Sequence, residues 1–141
     1  MTDVPTATAT PAVETVDRFY AHVVAGELPE AAALYAPDAV LLIPESLSYG
    51  GRHLGREGLL QVLGGLYGRA EIDFVRGPLL PLGSDRAVAF NRFDRIVLRE
   101  SSGGEAAVDL CEVYTVVDGA ITACEVWYWD TAALQAALPG L

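Results

Sequence analysis

Apolar positions near the start of the chain recur with the period of a helix. Val16, Phe19, Tyr20 and Val23 fall at i, i+3, i+4 and i+7, with Asp17, Arg18 and His22 towards the wet side. That spacing predicts a helix over residues 11–25, ended by Gly26. A shorter helix over 29–35 is stopped by Pro37, and 39–43 (Ala-Val-Leu-Leu-Ile) is a wholly apolar strand closed by Pro44. A third helix is predicted over 56–67, with Leu59, Leu60, Leu63 and Leu66 as its inner stripe. After Gly68 the pattern changes to strands, over 71–75, 87–98, 106–117 and 120–130, before a short helical tail over 131–138. The turns between them are Gly83-Ser84-Asp85, Ser101-Ser102-Gly103-Gly104 and Asp118-Gly119. The last suits a type I′ hairpin. Helices first and a long antiparallel meander afterwards make an α+β fold.

Strand parity brings in the candidate chemistry. Val88, Phe90, Arg92, Asp94, Ile96 and Leu98 share one face at period two, and four of these six are large and apolar. Arg92 and Asp94 are therefore expected among core-facing residues, with Asn91, Phe93 and Arg95 on the solvated face. The next strand places Glu112 alone in the apolar row Ala106, Val108, Leu110, Tyr114 and Val116. Buried charges are costly unless paired, so such groups form a structural ion pair or do chemistry. Several acids sharing a pocket with one arginine have pKa values pushed apart, which suits paired acid and base roles. On the last strand both faces are apolar. Asp130 either faces the pocket, leaving Trp127 and Trp129 on the outer face, or caps the terminal helix. Tyr20 is a core, rim or catalytic tyrosine. His53 lies in a solvated loop or on the pocket rim, and His22 on the surface.

The 141 residues fit one domain over 12–141, preceded by a disordered tail over 1–11. The chain is 52% hydrophobic and carries a formal charge of −10, which speaks against nucleic acid and membrane as partners. Its nine positive side chains are all arginine, so Schiff-base and P-loop lysine chemistry are excluded. Cys111 and Cys124 are its two cysteines, expected as buried hydrophobes in a cytoplasmic protein with reduced thiols. No metal-ligand spacing occurs, and neither a metal nor a cofactor is expected.

The run Phe19-Tyr20-Ala21, Gly26-Glu27-Leu28, Leu34-Tyr35-Ala36-Pro37-Asp38-Ala39-Val40 and Gly55-Arg56-Glu57-Gly58-Leu59 resembles the nuclear transport factor 2-like superfamily, which includes the SnoaL-like polyketide cyclases. The resemblance spans about residues 13–138 and implies a cone. A curved, mostly antiparallel sheet with three N-terminal helices would enclose an apolar pocket. Within that superfamily Arg92-Phe93-Asp94 and Tyr128-Trp129-Asp130 are similar to the pattern of limonene epoxide hydrolase. That similarity implies Asp94 as proton donor to an epoxide oxygen, Asp130 as base, and Arg92 bridging both. It also implies that Asp130 faces the pocket. The water-holding tyrosine and asparagine of that hydrolase have no counterpart in the apolar first strand. A hydroxyl of the substrate is therefore the expected nucleophile, which needs orienting rather than a water pocket.

The expected protein opens an epoxide in a small hydrophobic substrate, by cyclisation or by hydrolysis. Its catalytic residues would be Asp94, Asp130, Arg92 and Glu112. Tyr20, Leu42, Tyr49, His53, Phe90 and Tyr128 would bind the substrate. A homodimer through the outer sheet face, carrying Trp127 and Trp129, is the expected assembly. Two alternatives stand beside this reading: a SnoaL-like cyclase, dehydratase or isomerase with Asp130 or Glu112 as acid–base and no epoxide, and a binding module without catalysis.

Overall fold

The computed structural model describes residues 9–100 and 104–139. The first eight residues of the expected tail, and Ser101 to Gly103 of one expected turn, lie outside them. Pro11 already opens the first helix, α1 (Pro11–Val24), where Thr10 accepts a side-chain hydrogen bond from the Val13 N–H at 3.2 Å. A capping hydroxyl before a proline at the first helical position fixes where that helix starts.

The second helix, α2 (Leu28–Ala32), is shorter than its pattern suggests. The chain is extended again by β1 (Tyr35–Ile43), with Pro37 inside the strand. The pairing of this strand is irregular between Tyr35 and Val40, and a broken ladder is where a strand tolerates proline. Then follow β2 (Gly51–Leu54), α3 (Gly55–Arg69), β3 (Ala70–Val75), β4 (Leu79–Leu82), β5 (Arg86–Leu98), β6 (Glu105–Val117), β7 (Ala120–Tyr128) and α4 (Thr131–Ala137). The four-residue strands β2 and β4 have no counterpart in the sequence pattern, being too short to show a period. In α3 Val62 is buried where Leu60 was expected, and Leu60 faces out.

The seven strands form one curled, unclosed sheet in the order β2-β1-β7-β6-β5-β3, with β4 beside the first half of β5. All pairings are antiparallel except β1 with β7. The β6–β7 turn has Asp118 at φ 50° and Gly119 at φ 76°, the two positive values that a type I′ hairpin requires. The concave face and the helices enclose a core rich in aromatic rings, among them Phe19, Tyr20, Tyr35, Phe93 and Tyr114. The fold is α+β, as its pattern of elements implies.

One bulge reverses the parity of β5. Phe93 pairs with Val108 and Ile96 with Ala106, so two residues of β5, Asp94 and Arg95, oppose Ala107. On the other side Phe93 pairs with Phe74 and Arg95 with Asp73, which leaves Asp94 without a partner. An extra residue in one strand moves every side chain beyond it to the opposite face. Ile96 and Leu98 point inward as expected, but before the bulge the inward residues are Ala87, Ala89, Asn91 and Phe93. Asn91 and Phe93 are each only 5% exposed. The expectation that Phe90, Arg92 and Asp94 face the core is thereby corrected, since all three lie on the outer side of the sheet.

Candidate functional site

Where α1, α3 and the concave face of the sheet meet, they leave an apolar cavity of about 70 Å³. Phe19 and Tyr20 come from α1, Leu59, Val62 and Leu66 from α3, and Phe93, Glu112, Tyr114 and Tyr128 from the central strands. Aromatic rings run in an unbroken chain along it. Phe19 touches Tyr20, Tyr35 and Tyr114, Tyr20 touches Phe74, and Phe74 leads through Phe93 to Tyr128, with centroids 5.3 to 6.1 Å apart. Among the lining residues one side chain is charged, that of Glu112.

Glu112 is held from two sides. Its Oε1 accepts from Asn91 Nδ2 at 3.1 Å, and its Oε2 accepts from the Tyr114 hydroxyl at 3.0 Å. Asn91 is oriented in turn, because its Oδ1 accepts from the Gly77 N–H at 3.0 Å. A side chain at residue 77 would collide with the Phe90 carbonyl, so glycine is required for this approach. Burial raises the Glu112 pKa, and the hydrogen bonds from Asn91 and Tyr114, together with the neighbouring Tyr20 hydroxyl, oppose that rise only in part. Such a carboxyl exchanges its proton closer to neutrality than a solvated one.

Tyr20 stands beside it. Its ring is buried, edge-on to Tyr114 at 5.8 Å, with the Arg76 guanidinium 5.2 Å over its face. Its hydroxyl is buried and has no hydrogen-bond partner among the described residues. Burial first, and the Glu112 charge second, hold the Tyr20 pKa well above the usual phenol value, so the hydroxyl keeps its proton. An unsatisfied buried hydroxyl costs about 1–3 kcal/mol, and in a native fold such an atom calls for a ligand or a role.

The other expected site residues lie elsewhere. Arg92 donates to Asp94 at 2.8 Å and to Asp109 at 3.0 Å in an exposed network, where the Asp94 side chain is 57% exposed. Asp130 leaves the sheet and caps α4, accepting from the Ala133 N–H at 2.9 Å. Arg92, Asp94 and Asp130 therefore do not join Glu112 in the cavity. The parity of Ile96 and Leu98 carries the first two inward only if the bulge is ignored. Asp130 follows the capping alternative because β7 ends at Tyr128. Leu42 and Phe90 are exposed as well, and Leu41 and Ile43 take the inward positions of β1.

Tyr49 and Tyr128 share a hydrogen bond of 2.8 Å between their hydroxyls, which ties the loop before β2 to β7. His53 Nε2 lies 2.9 Å from the Tyr49 carbonyl and so holds that loop. Asn91, Tyr114 and Phe93 escaped the sequence reading. The two-residue spacing of Glu112 and Tyr114 was the one available signal, since neighbours on one strand face can bond.

A family profile for the SnoaL-like domain matches residues 16–124, and the chain belongs to that family. Solved structures agree on the fold. A nuclear transport factor 2-like protein of unknown function from Burkholderia pseudomallei is 20% identical with a TM-score of 0.80, over 93% of this chain and 99% of its own. A protein of ketosteroid isomerase-like fold from Catenulispora acidiphila, solved in complex with trimethylamine, is 17% identical with a TM-score of 0.72, over 94% and 97%. TerC, co-crystallised with polyporic acid, is 23% identical with a TM-score of 0.70, over 91% and 98%. No protein with a curated description matches the chain.

Proposed function

We propose that this protein is an acid–base enzyme acting on a carbon next to a carbonyl group of a small, mainly apolar substrate. The observation that carries this reading is a raised-pKa carboxyl and an unpartnered buried hydroxyl at one apolar cavity. Ionised Glu112 takes the proton from carbon, and the C–H electron pair moves onto the carbonyl oxygen. The Tyr20 hydroxyl donates to that oxygen as its charge develops. Protonated Glu112 then returns its proton to carbon, giving an isomer. If the carbanion first attacks a second carbonyl of the substrate, the proton goes to the new alkoxide, and a ring has closed. The second outcome is a cyclisation, in keeping with the SnoaL-like family to which the chain belongs.

An epoxide-opening reaction through Asp94, Asp130 and Arg92 requires those three to meet around one substrate. Their outward placement gives that route no support. Among the residues lining the cavity, Glu112 is the one carboxyl.

The experiment is deuterium uptake from heavy water into small ketones, followed by mass spectrometry with no need for the natural substrate. Wild-type protein is expected to catalyse exchange. Glu112→Gln should lower it at least about 100-fold, and Tyr20→Phe by about 10–100-fold. Asp94→Asn should leave it unchanged. Exchange that survives in Glu112→Gln overturns the proposal.

A further inference from the structure

Glu112 of β6 pairs with Ala89 of β5, and Asn91 is the next inward residue along that strand. The small Ala89 side chain lets the carboxyl lean diagonally to the Asn91 amide, 3.1 Å away. Asn91 is buried and is not among the residues that line the cavity. It touches Glu112 without facing the space that a substrate would fill.

The orientation of that amide is fixed by its other contact. The Gly77 N–H can only donate, so the Asn91 atom that meets it is the carbonyl Oδ1. The amide nitrogen Nδ2, a donor only, is thereby turned to Glu112 Oε1. The anchor is held in its turn. The Phe90 N–H donates to the Pro78 carbonyl at 2.9 Å, and Gly77 fits against the Phe90 carbonyl because it has no Cβ. Glu112 Oε2 has a different kind of partner. The Tyr114 hydroxyl, 3.0 Å away, donates to a carboxylate or, turned about its C–O bond, accepts from a carboxylic acid.

From this asymmetry we infer that Asn91 is a positioning residue for Glu112, which keeps Oε1 an acceptor in both protonation states and assigns the moving proton to Oε2. The inference rests on the reading of Glu112 given above and deepens it. The oxygen beside Tyr114 is the one that takes the proton from carbon and returns it. An amide donor that cannot reverse favours the ionised carboxylate over the acid, whose oxygens accept more weakly. The Tyr114 hydroxyl serves both forms. The titratable groups packed about Glu112 are Tyr20 of α1, Tyr35 of β1, Tyr49 before β2, Tyr67 of α3, Tyr114 of β6, and Tyr128 and Cys124 of β7. Burial raises the pKa of each, so all are uncharged at neutral pH. Arg76, over the Tyr20 ring, is paired with Asp17 at 2.7 Å. The ionisation of Glu112 is thus governed by its neutral hydrogen-bond partners.

The test is a titration of the Glu112 carboxyl by carbon-13 NMR in the whole protein, its signal assigned by its absence from Glu112→Gln. No ligand is needed. Asn91→Ala is expected to raise the midpoint by about one pH unit, the loss of one hydrogen bond to a charged group. Tyr114→Phe should raise it by about half of that or less, because its hydroxyl bonds both forms. Asn91→Asp keeps the shape and the bond from Gly77 but sets two carboxyls on one proton, and should raise the midpoint by about two units or more. The pH profile of deuterium exchange into 2-butanone should move upward in the same order. A midpoint that stays in place in both Asn91 variants overturns the inference, even where Asn91→Ala lowers stability. So does a shift in Tyr114→Phe that equals or exceeds that in Asn91→Ala. Midpoints that move as stated in a protein that exchanges no deuterium overturn the reading of Glu112 as a base and leave the Asn91 assignment standing, so the two failures are distinct.

Discussion

Glu112 is a carboxyl whose direct partners are neutral, an amide and a phenol. With its charge disfavoured by burial, its folded pKa lies above the ordinary carboxyl value. The native state therefore binds this proton more tightly than the unfolded chain does. Its stabilising contribution is complete below the unfolded carboxyl pKa and is lost as pH rises through the raised folded value. Glu112→Gln carries no such proton, so the difference in Tm between that variant and wild type should be more positive at pH 8 than at pH 4. A difference that does not change with pH would place the carboxyl in water. Catalysis has the opposite slope, because the base must be ionised. Exchange should climb through the same raised value and then level off.

At the scale of elements, the bulge at Asp94 decides which residues of β5 meet the cavity. Hydrophobicity alone pointed the other way, since Val88 and Phe90 are apolar and lie in step with Ile96 and Leu98. The strand accommodates both stretches by changing face between them. Ala87 and Ala89 give room inside, while Phe90 stays out beside Cys111 and Trp127 on the neighbouring strands. The end of β7 is a second such decision. Asp130 serves the backbone of α4, so Asp130→Ala should lower stability by about 1 kcal/mol, read by chemical denaturation, as loss of a helix cap does. Deuterium exchange should be unaffected. A large loss of exchange at unchanged stability would return Asp130 to the chemistry.

For the whole molecule, the outer face of the sheet is the notable surface. Phe90, Cys111 and Trp127 sit side by side across three strands, and Trp129 is 88% exposed. The proposed partner is a second copy of the chain. Arg92, Asp94 and Asp109 flank this row, and a patch carrying both signs complements itself about a two-fold axis. Sedimentation at micromolar concentration should report a dimer, and Trp127→Glu a monomer with exchange retained. A wild-type chain that sediments as a monomer would remove this proposal. Among the described residues no helix is long and apolar enough to cross a membrane.

The order of the helices and of the longer strands, the Asp118-Gly119 hairpin and the inward row of β6 were legible in the chain, because local period and turn chemistry fix them without reference to distant residues. Glu112 emerged for the same reason, as a lone charge in an apolar row on a strand with no change of face before it. Asp94, Arg92 and Asp130 could not be placed that way. A bulge is a property of how one strand pairs with two neighbours, and where β7 ends depends on whether its last carboxylate serves a sheet or a helix. The partnerless hydroxyl of Tyr20 belongs to the same class, because α1 and the central strands, far apart in sequence, close on one space, and only the tertiary structure brings them together.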